Sequence, residues 1–340
     1  MRRGMMIGLV LLLLGSVAGN LVAGGGSQSG GSKTFTLHLA YSEPYDENGS
    51  HTAAAAYMKR EIEKRTNGNV KIEIHPNEEL GTETESVEMI KANEIALAIV
   101  ASPVLSGFTD LFTFADVPML FTSSDQLYNF TKSNLFTARL EKLSGAGFVG
   151  LGGVCGGGRY FFTAKNYPIR SVADMKGLNI RVLPTPPNLR GVQLLGGNPT
   201  TLSYSECYQS LQTGVIVGME NESATYTIMR FYEVAPNFLD VPWLQLLQIT
   251  IGSPKLLGEL PAEYQSIVKT VSAEAGKVGF DAVENYSKGG ARVTAKAGGA
   301  NYITVSDAVK KEFADALKPL QTEYANAIGQ DIFNWLAANP

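Results

Sequence analysis

Arg181 is the residue from which a chemical role can first be read. It lies in the run LNIRV, where Leu178, Ile180 and Val182 share one face of a strand and Asn179 and Arg181 the other. A guanidinium there presents a planar fork of donors that fits a carboxylate in a bidentate pair; the plainer alternative is a surface arginine paired with an acid. Ligands of open α/β sheets bind at the carboxyl ends of strands, so Arg181 and Asn221, which closes VIVGMEN, are the first candidates for ligand contact. Other chemistry is sparse. The three histidines, His38, His51 and His75, are not spaced as metal ligands and have no cysteine near them in sequence. No GxSxG elbow and no Cys/His signature is present, and the glycines of residues 152–158 match neither GxGxxG nor GxxxxGK[ST]. Binding without catalysis is the expectation, with no cofactor and no metal.

The surrounding elements must hold these groups in place. Ser171 with Asp174 caps a short helix that Gly177 stops; Ser203 with Glu206 caps a helix over 204–213 that Gly214 ends before an apolar strand at 215–217. Upstream, Phe35, Leu37 and Leu39 alternate as a strand, an amphipathic helix ends at Asn67-Gly68, and Val70, Ile72 and Ile74 alternate as a second strand. A helix over 83–92 ends at Asn93, and the apolar run 95–100 reads as a covered strand. This βαβαβ order predicts a parallel or mixed sheet between helices, one lobe of a larger protein. A helix over 124–143 and a strand at 148–151 complete it, and the glycines of 152–158 read as a flexible crossover to a second lobe. Strands at 241–243 and 246–251 lead back. Tyr264, Val268, Val271, Ala275, Val278, Ala282 and Tyr286 mark one face of a long helix starting at Pro261, long enough to cross both lobes. Phe313, Leu320, Tyr324, Ile328, Ile332 and Trp335 mark a terminal helical segment broken near Pro319.

The chain has 340 residues and is 44% apolar, enough for two domains of ordinary size. Arg2 and Arg3 precede an apolar run over 5–17 and a Gly/Ser tract, which reads as a secretory signal peptide, with an uncleaved anchor as the alternative. Leu21 to Gly24 would precede a lipid-modified cysteine, but position 25 is glycine. The formal net charge is −4, which argues against nucleic acid as a partner and requires any anionic ligand to be held by local cations. Cys155 and Cys207 are either a disulfide or two buried thiols.

Several of these stretches carry a family resemblance. Gly158-Arg159, PIRSVADMKGLNIRV, GGNPTTLSYSECYQSLQTG and Glu220-Asn221, with GSHTAAAAYMKREIEKRTNGNVKIEIHPNEELG, VPMLF and Leu260-Pro261 in the same order, resemble the substrate-binding proteins of tripartite ATP-independent periplasmic (TRAP) transporters, dicarboxylate-binding type. The resemblance spans nearly the whole mature chain. It implies an α/β, two-lobe periplasmic-binding-protein-like fold with a hinged cleft and a long helix spanning both lobes. Residues 1–33 would be signal and linker, 34–157 plus 247–286 lobe I, and 158–246 plus 287–340 lobe II. The implied protein is an exported periplasmic monomer, not an enzyme, that captures a small organic acid and delivers it to TRAP membrane permease subunits. Rival readings are a sensor presenting a carboxylate to a membrane receptor, a hydrolase or lyase using Glu85, Glu206 or Glu220, and a scaffold that binds no small molecule.

By the same resemblance Arg181 holds the substrate carboxylate, Arg159 is a second arginine reaching the cleft, and Asn221 is a cleft amide. Tyr204 stands where the family places a ring against the ligand, with a core aromatic as the alternative. Glu85 matches an acid that contacts hydroxyl or amino groups, with a solvated helix face as the alternative. His51 lies at the matching helix start, and Asn198 reads as a turn residue. Where the family commonly has Asp-Gly-Gln-Glu-Asn, this chain has Val217-Gly218-Met219-Glu220-Asn221, and Ala96 replaces a frequent Asp. These losses of acid imply a less polar cleft and a less hydroxylated ligand. Arg190 is either a second carboxylate site or a surface residue.

Overall fold

In the computed structural model, residues 34–340 are described; the expected signal peptide and linker lie outside them. The strands are β1 (Phe35–Ala40), β2 (Val70–His75), β3 (Leu97–Ala101), β4 (Val149–Thr163), β5 (Asn179–Arg181), β6 (Asn198–Thr200), β7 (Gly218–Glu222), β8 (Asn237–Gly252) and β9 (Asn301–Ile303), with alternating apolar residues in β1 and β2 and a continuous apolar run in β3. They join one mixed sheet in the order β2-β1-β3-β8-β4-β7-β5-β6, with β9 beside β8. The parallel pairs β1–β2 and β1–β3 lie on one side, and β5–β6 and β5–β7 on the other. Between them β4 and β8 run antiparallel to each other, β8 also taking β3 and β4 also taking β7. The result is a two-lobe α/β fold whose lobes share two long strands.

Helix α1 (Ser50–Arg65) buries Ala54, Ala55, Met58 and Ile62, residues at helical spacing, on the β1–β2 side. Helix α2 (Glu83–Ala92) begins with a capping box between Thr82 and Glu85 and ends at Asn93, whose φ of 63° is the left-handed cap conformation. The long helix Ala262–Lys288 has 27 residues, about 40 Å at 1.5 Å per residue, and lies along α1 and β4. Its Val268, Val271 and Ala275 join the core of the first lobe, and Phe280 stacks on Tyr128 at 4.4 Å between centroids. The tail is shared between the lobes: Asp307–Leu317 contacts Pro186–Leu194 of the second, whereas Trp335 meets Phe130 of the first edge-on at 5.0 Å.

Four local expectations are corrected. The glycines of 152–158, expected as a flexible crossover, lie inside β4, one of the two strands the lobes share, hydrogen-bonded to β8 with register shifts after Gly150, Cys155, Arg159 and Tyr160. Glycine is needed there because the long helix presses on the strand: a Cβ on Gly152 would stand 2.8 Å from the Ser272 carbonyl, and one on Gly276 would strike the Gly153 carbonyl. The expected strands at 241–243 and 246–251 are one strand, with Pro242 placed opposite Tyr160 at a bulge. The expected helix over 124–143 is two, because Ser133 accepts a bond from Phe136 N–H at 3.2 Å and starts a new one. The strand expected at 215–217 begins at Gly218, where pairing with β5 and β4 starts, and Val215 is exposed. Cys155 and Cys207 are buried free thiols.

Candidate functional site

Two cavities meet between the lobes. The inner one, about 20 Å³, is bordered by Ser42, Glu43, His51 and Ala101 of the first lobe and by Arg159, Asn221, Glu222 and Leu246. The outer, about 290 Å³, runs along Glu78, Thr82 and Val104 on one side and Thr201, Leu202 and Ser203 on the other. Glu83, Arg181, Leu183 and Tyr204 border both. The lobes touch around them: Ser205 N–H donates to Glu78 at 3.2 Å, and Thr225 Oγ1 to Glu43 at 2.8 Å.

Arg159 projects from β4 opposite Glu222 of β7, and strand alternation sets Glu220 on the same face. Its Nε pairs with Glu220 Oε2; its Nη2 donates to Glu220 Oε1 and to the Glu220 carbonyl, both at 3.0 Å; its Nη1 lies 3.3 Å from Glu222 Oε1. Trp243 of β8 adds an indole N–H to Glu220 at 3.2 Å. Burial opposes the guanidinium charge, but Glu220 and Glu222 outweigh it and raise the Arg159 pKa. Arg159 is therefore fully committed. Burial pushes Glu222 up to about 7, against the pull of Arg159, and its Oε2 has no hydrogen-bond partner.

Arg181 ends β5 and is equally buried, yet differently placed. Its Nε and Nη2 donate to the Leu202 carbonyl at 3.2 and 3.0 Å, and among the described residues no carboxylate lies within 4 Å of it. Asn221 Nδ2 donates to the Tyr204 hydroxyl at 3.4 Å, joining the end of β7 to the turn that carries Tyr204. Burial, then the charges of Glu43 and Glu222, hold the Tyr204 hydroxyl protonated far above its ordinary range.

His51, in the first turn of α1, has Nδ1 3.1 Å from Glu43 and its ring stacked on Tyr41. Burial disfavours both charges, but each supports the other: the His51 pKa is raised and that of Glu43 lowered. His51 Nε2 is buried without a partner.

Four of the five residues singled out in the sequence are thus gathered at the cavities: Arg159, Arg181, Tyr204 and Asn221. Glu85 is not. It is exposed, accepts from Thr82 N–H at 2.7 Å and Thr82 Oγ1 at 2.8 Å, and spends its charge on the start of α2. Glu83, two residues earlier, borders both cavities; one oxygen accepts from Ala101 N–H at 3.1 Å, and burial raises its pKa. Arg190 pairs at the surface with Glu323 at 3.0 Å, and Asn198 donates to the Gly177 carbonyl. Neither Val217 nor Ala96 borders either of these two cavities, so the acids missing there do not make them apolar: Glu43, Glu83 and Glu222 line the inner one instead. Sequence reading passed over these three. The signal for Glu222 was present, because MENE sets two acids in a strand that must be covered on both faces, where acids need buried cations.

Among the described residues one group has metal-ligand geometry: His38, Glu73 and His75 on β1 and β2, with His38 Nδ1 2.9 Å from His75 Nε2. None of the three borders either cavity.

A family model described as DctP, bacterial extracellular solute-binding protein family 7, matches residues 42–327. A solute-binding protein of Sulfitobacter sp. (strain NAS-14.1) is 28% identical over 287 residues, covering 84% of this chain and 86% of the relative. A TRAP periplasmic solute-binding protein of Shewanella oneidensis, solved with bound succinate, superposes with a TM-score of 0.84 at 22% identity, over 90% of this chain and all of the other. Another from Xanthobacter autotrophicus Py2, with bound β-D-galacturonate, gives 0.81 at 24% identity, over 89% and 98%.

Proposed function

This chain belongs to the DctP family, bacterial extracellular solute-binding protein family 7, and from that premise we propose that it captures a small organic acid between its lobes and delivers it to a TRAP-type membrane permease. Arg181 holds the carboxylate, and Tyr204, Asn221 and Glu83 complete the wall around it. The observation that carries this reading is the state of Arg181: a guanidinium 3% exposed, bordering both cavities, with a single backbone carbonyl for a partner among the described residues. A buried cation without an anion is costly, and a ligand carboxylate supplies the missing charge with two parallel hydrogen bonds. Export by the N-terminal segment places the protein in the periplasm. Among the described residues no helix is long and apolar enough to cross a membrane. Closure moves residues 34–157 with 247–286 against 158–246 with the chain after 287, the last helix reaching back to the first lobe.

Capture requires no covalent step. A micromolar ligand needs ~8 kcal/mol, within reach of one charge-assisted pair, an amide, a ring and the water expelled on closure. The test is titration calorimetry on protein unfolded and refolded to remove any co-purified ligand, against small mono- and dicarboxylates and uncharged sugars. Binding of an acid by the wild type and its loss in Arg181→Ala, by about 2–5 kcal/mol for a truncated buried charge pair, is the expected result. Binding of uncharged ligands alone, or an Arg181→Ala protein that binds as the wild type does, overturns the role of Arg181.

A further inference from the structure

We propose that the acid selected here carries one carboxylate and that its other polar groups are hydroxyls, with Glu222 as the residue that sets this preference. The inference rests on the capture reading above and deepens it.

The first argument is charge. Glu43, Glu83 and Glu222 border the inner cavity, and Arg159, Arg181 and His51 face them. Arg159 is spent on Glu220 and Glu222, and His51 on Glu43. Among the described residues that border this cavity, Arg181 alone is left for an incoming anion. A second ligand carboxylate would enter a space lined by acids with no cation to receive it, and like charges in a buried site repel strongly.

The second argument is the two unmet polar atoms. Glu222 Oε2 and His51 Nε2 are both buried, both belong to residues bordering the inner cavity, and neither has a hydrogen-bond partner among the described residues. Buried polar atoms are nearly always paired, so an orphan at a cavity wall marks a place for a ligand group. Glu222 in its charged form only accepts. His51 accepts at Nε2 when neutral and donates when charged. With His51 charged beside Glu43, its Nε2 donates while ionised Glu222 accepts, and a hydroxyl answers both, because its one hydrogen donates while its oxygen accepts; a carboxylate only accepts, and an ammonium only donates. The inner cavity, about 20 Å³, has room for a group the size of one water, which a hydroxyl is. The outer space of about 290 Å³ takes the rest of the molecule.

The test uses refolded wild-type protein and calorimetry against sets matched in carbon number: at four carbons, erythronate, butyrate, 2-aminobutyrate and succinate; at six, gluconate, hexanoate, 2-aminohexanoate and adipate. The hydroxylated monocarboxylate of at least one set is expected to bind about tenfold or more tighter than its three counterparts. In Glu222→Gln, which keeps the shape and leaves Glu220 on Arg159, the preference over the dicarboxylate should fall about tenfold. A dicarboxylate or amino acid that binds as tightly as its hydroxylated counterpart in both sets overturns the inference, while Arg181-dependent binding leaves the capture reading standing. An unchanged preference in a folded Glu222→Gln removes Glu222 from its role. Should that variant not fold, the wild-type ranking decides alone, and absence of saturable binding by every acid overturns inference and capture reading together.

Discussion

Arg159 and Arg181 both border one small cavity, and each is 3% exposed. Burial cannot tell them apart, but their surroundings do. Where β4, β7 and β8 meet, Arg159 is enclosed by Glu220, Glu222 and, through Glu220, the Trp243 indole. On the wall made by the short β5 and the turn at 201–204, Arg181 donates to the Leu202 carbonyl and, among the described residues, has no carboxylate within 4 Å. The first region satisfies the charge of its arginine and so contributes to the fold. The second leaves a charge for something else to satisfy. An unbalanced buried charge is the mark of a ligand residue, because folding alone gives no reason to keep it.

The sharpest way to break this contrast is to remove each arginine. Arg159→Leu leaves Glu220 and Glu222 buried without their cation and is expected to destabilise the protein by about 3–5 kcal/mol, or to prevent folding. Urea denaturation without ligand measures this, and Arg181→Ala should cost much less by the same assay while losing the ligand. If Arg159→Leu keeps its stability and loses only binding, the two regions are not different in kind.

The contrast was only half legible in the sequence. Local chemistry was readable: Ser171 with Asp174 and Ser203 with Glu206 form the capping boxes their spacing implies, and Asn93, Gly177 and Gly214 take the positive φ their types allow. The glycine-rich stretch was not, because glycine carries no side-chain alternation. What makes β4 a strand is a partner about 90 residues away, and what makes it glycine-rich is a helix that follows residue 260. The commitment of Arg159 was illegible for the same reason: it depends on the register that sets Arg159 opposite Glu222 and Phe161 opposite Glu220. Arg181 could be found because strand position and residue type suffice to suggest it. That its charge is unbalanced could not, since only the assembled cavity shows what is missing.

Asp116 sharpens the contrast through pH. It is buried, Ser102 Oγ donates to its Oδ1 at 2.7 Å, and its Oδ2 has no partner. Burial pushes its pKa from 3.8 to about 8, against the Ser102 hydrogen bond and the charge of Arg159, which both favour the carboxylate. A folded-state pKa above the unfolded one means that stability is fully present below about pH 4 and is lost as pH climbs through 8. Glu222, raised from 4.5 to about 7, and His51, also raised, act in the same direction; Glu43, lowered, acts oppositely and only in acid. Ligand-free protein should therefore lose stability between about pH 5 and 8, by at most about 1.4 kcal/mol per pH unit for each group. Asp116→Asn should make the curve shallower above pH 7, where Glu222 has passed its midpoint, leaving the slope that His51 adds. Urea midpoints across this range check it, and an unchanged slope would show that Asp116 is not held neutral.

The smallest expected effect separates two acids on one helix. Glu83 and Glu85 lie two residues apart, about 200° around α2, so one turns to the cavities and the other to the Thr82 cap. Family position favoured Glu85; cavity geometry favours Glu83. Glu85→Gln is expected to leave the ligand dissociation constant within about twofold, since an exposed group screened by solvent adds little at that distance. Glu83→Gln removes a partly buried charge from the cavity wall and should change the constant about fivefold or more, on the order of 1 kcal/mol. Calorimetry on both variants with the same acid reads the difference directly. The reverse order would mean that the lobes meet in another register around the ligand, with Glu85 released from its cap. The division between a self-satisfied region and an open one would then hold for the two arginines but not for the acids around them.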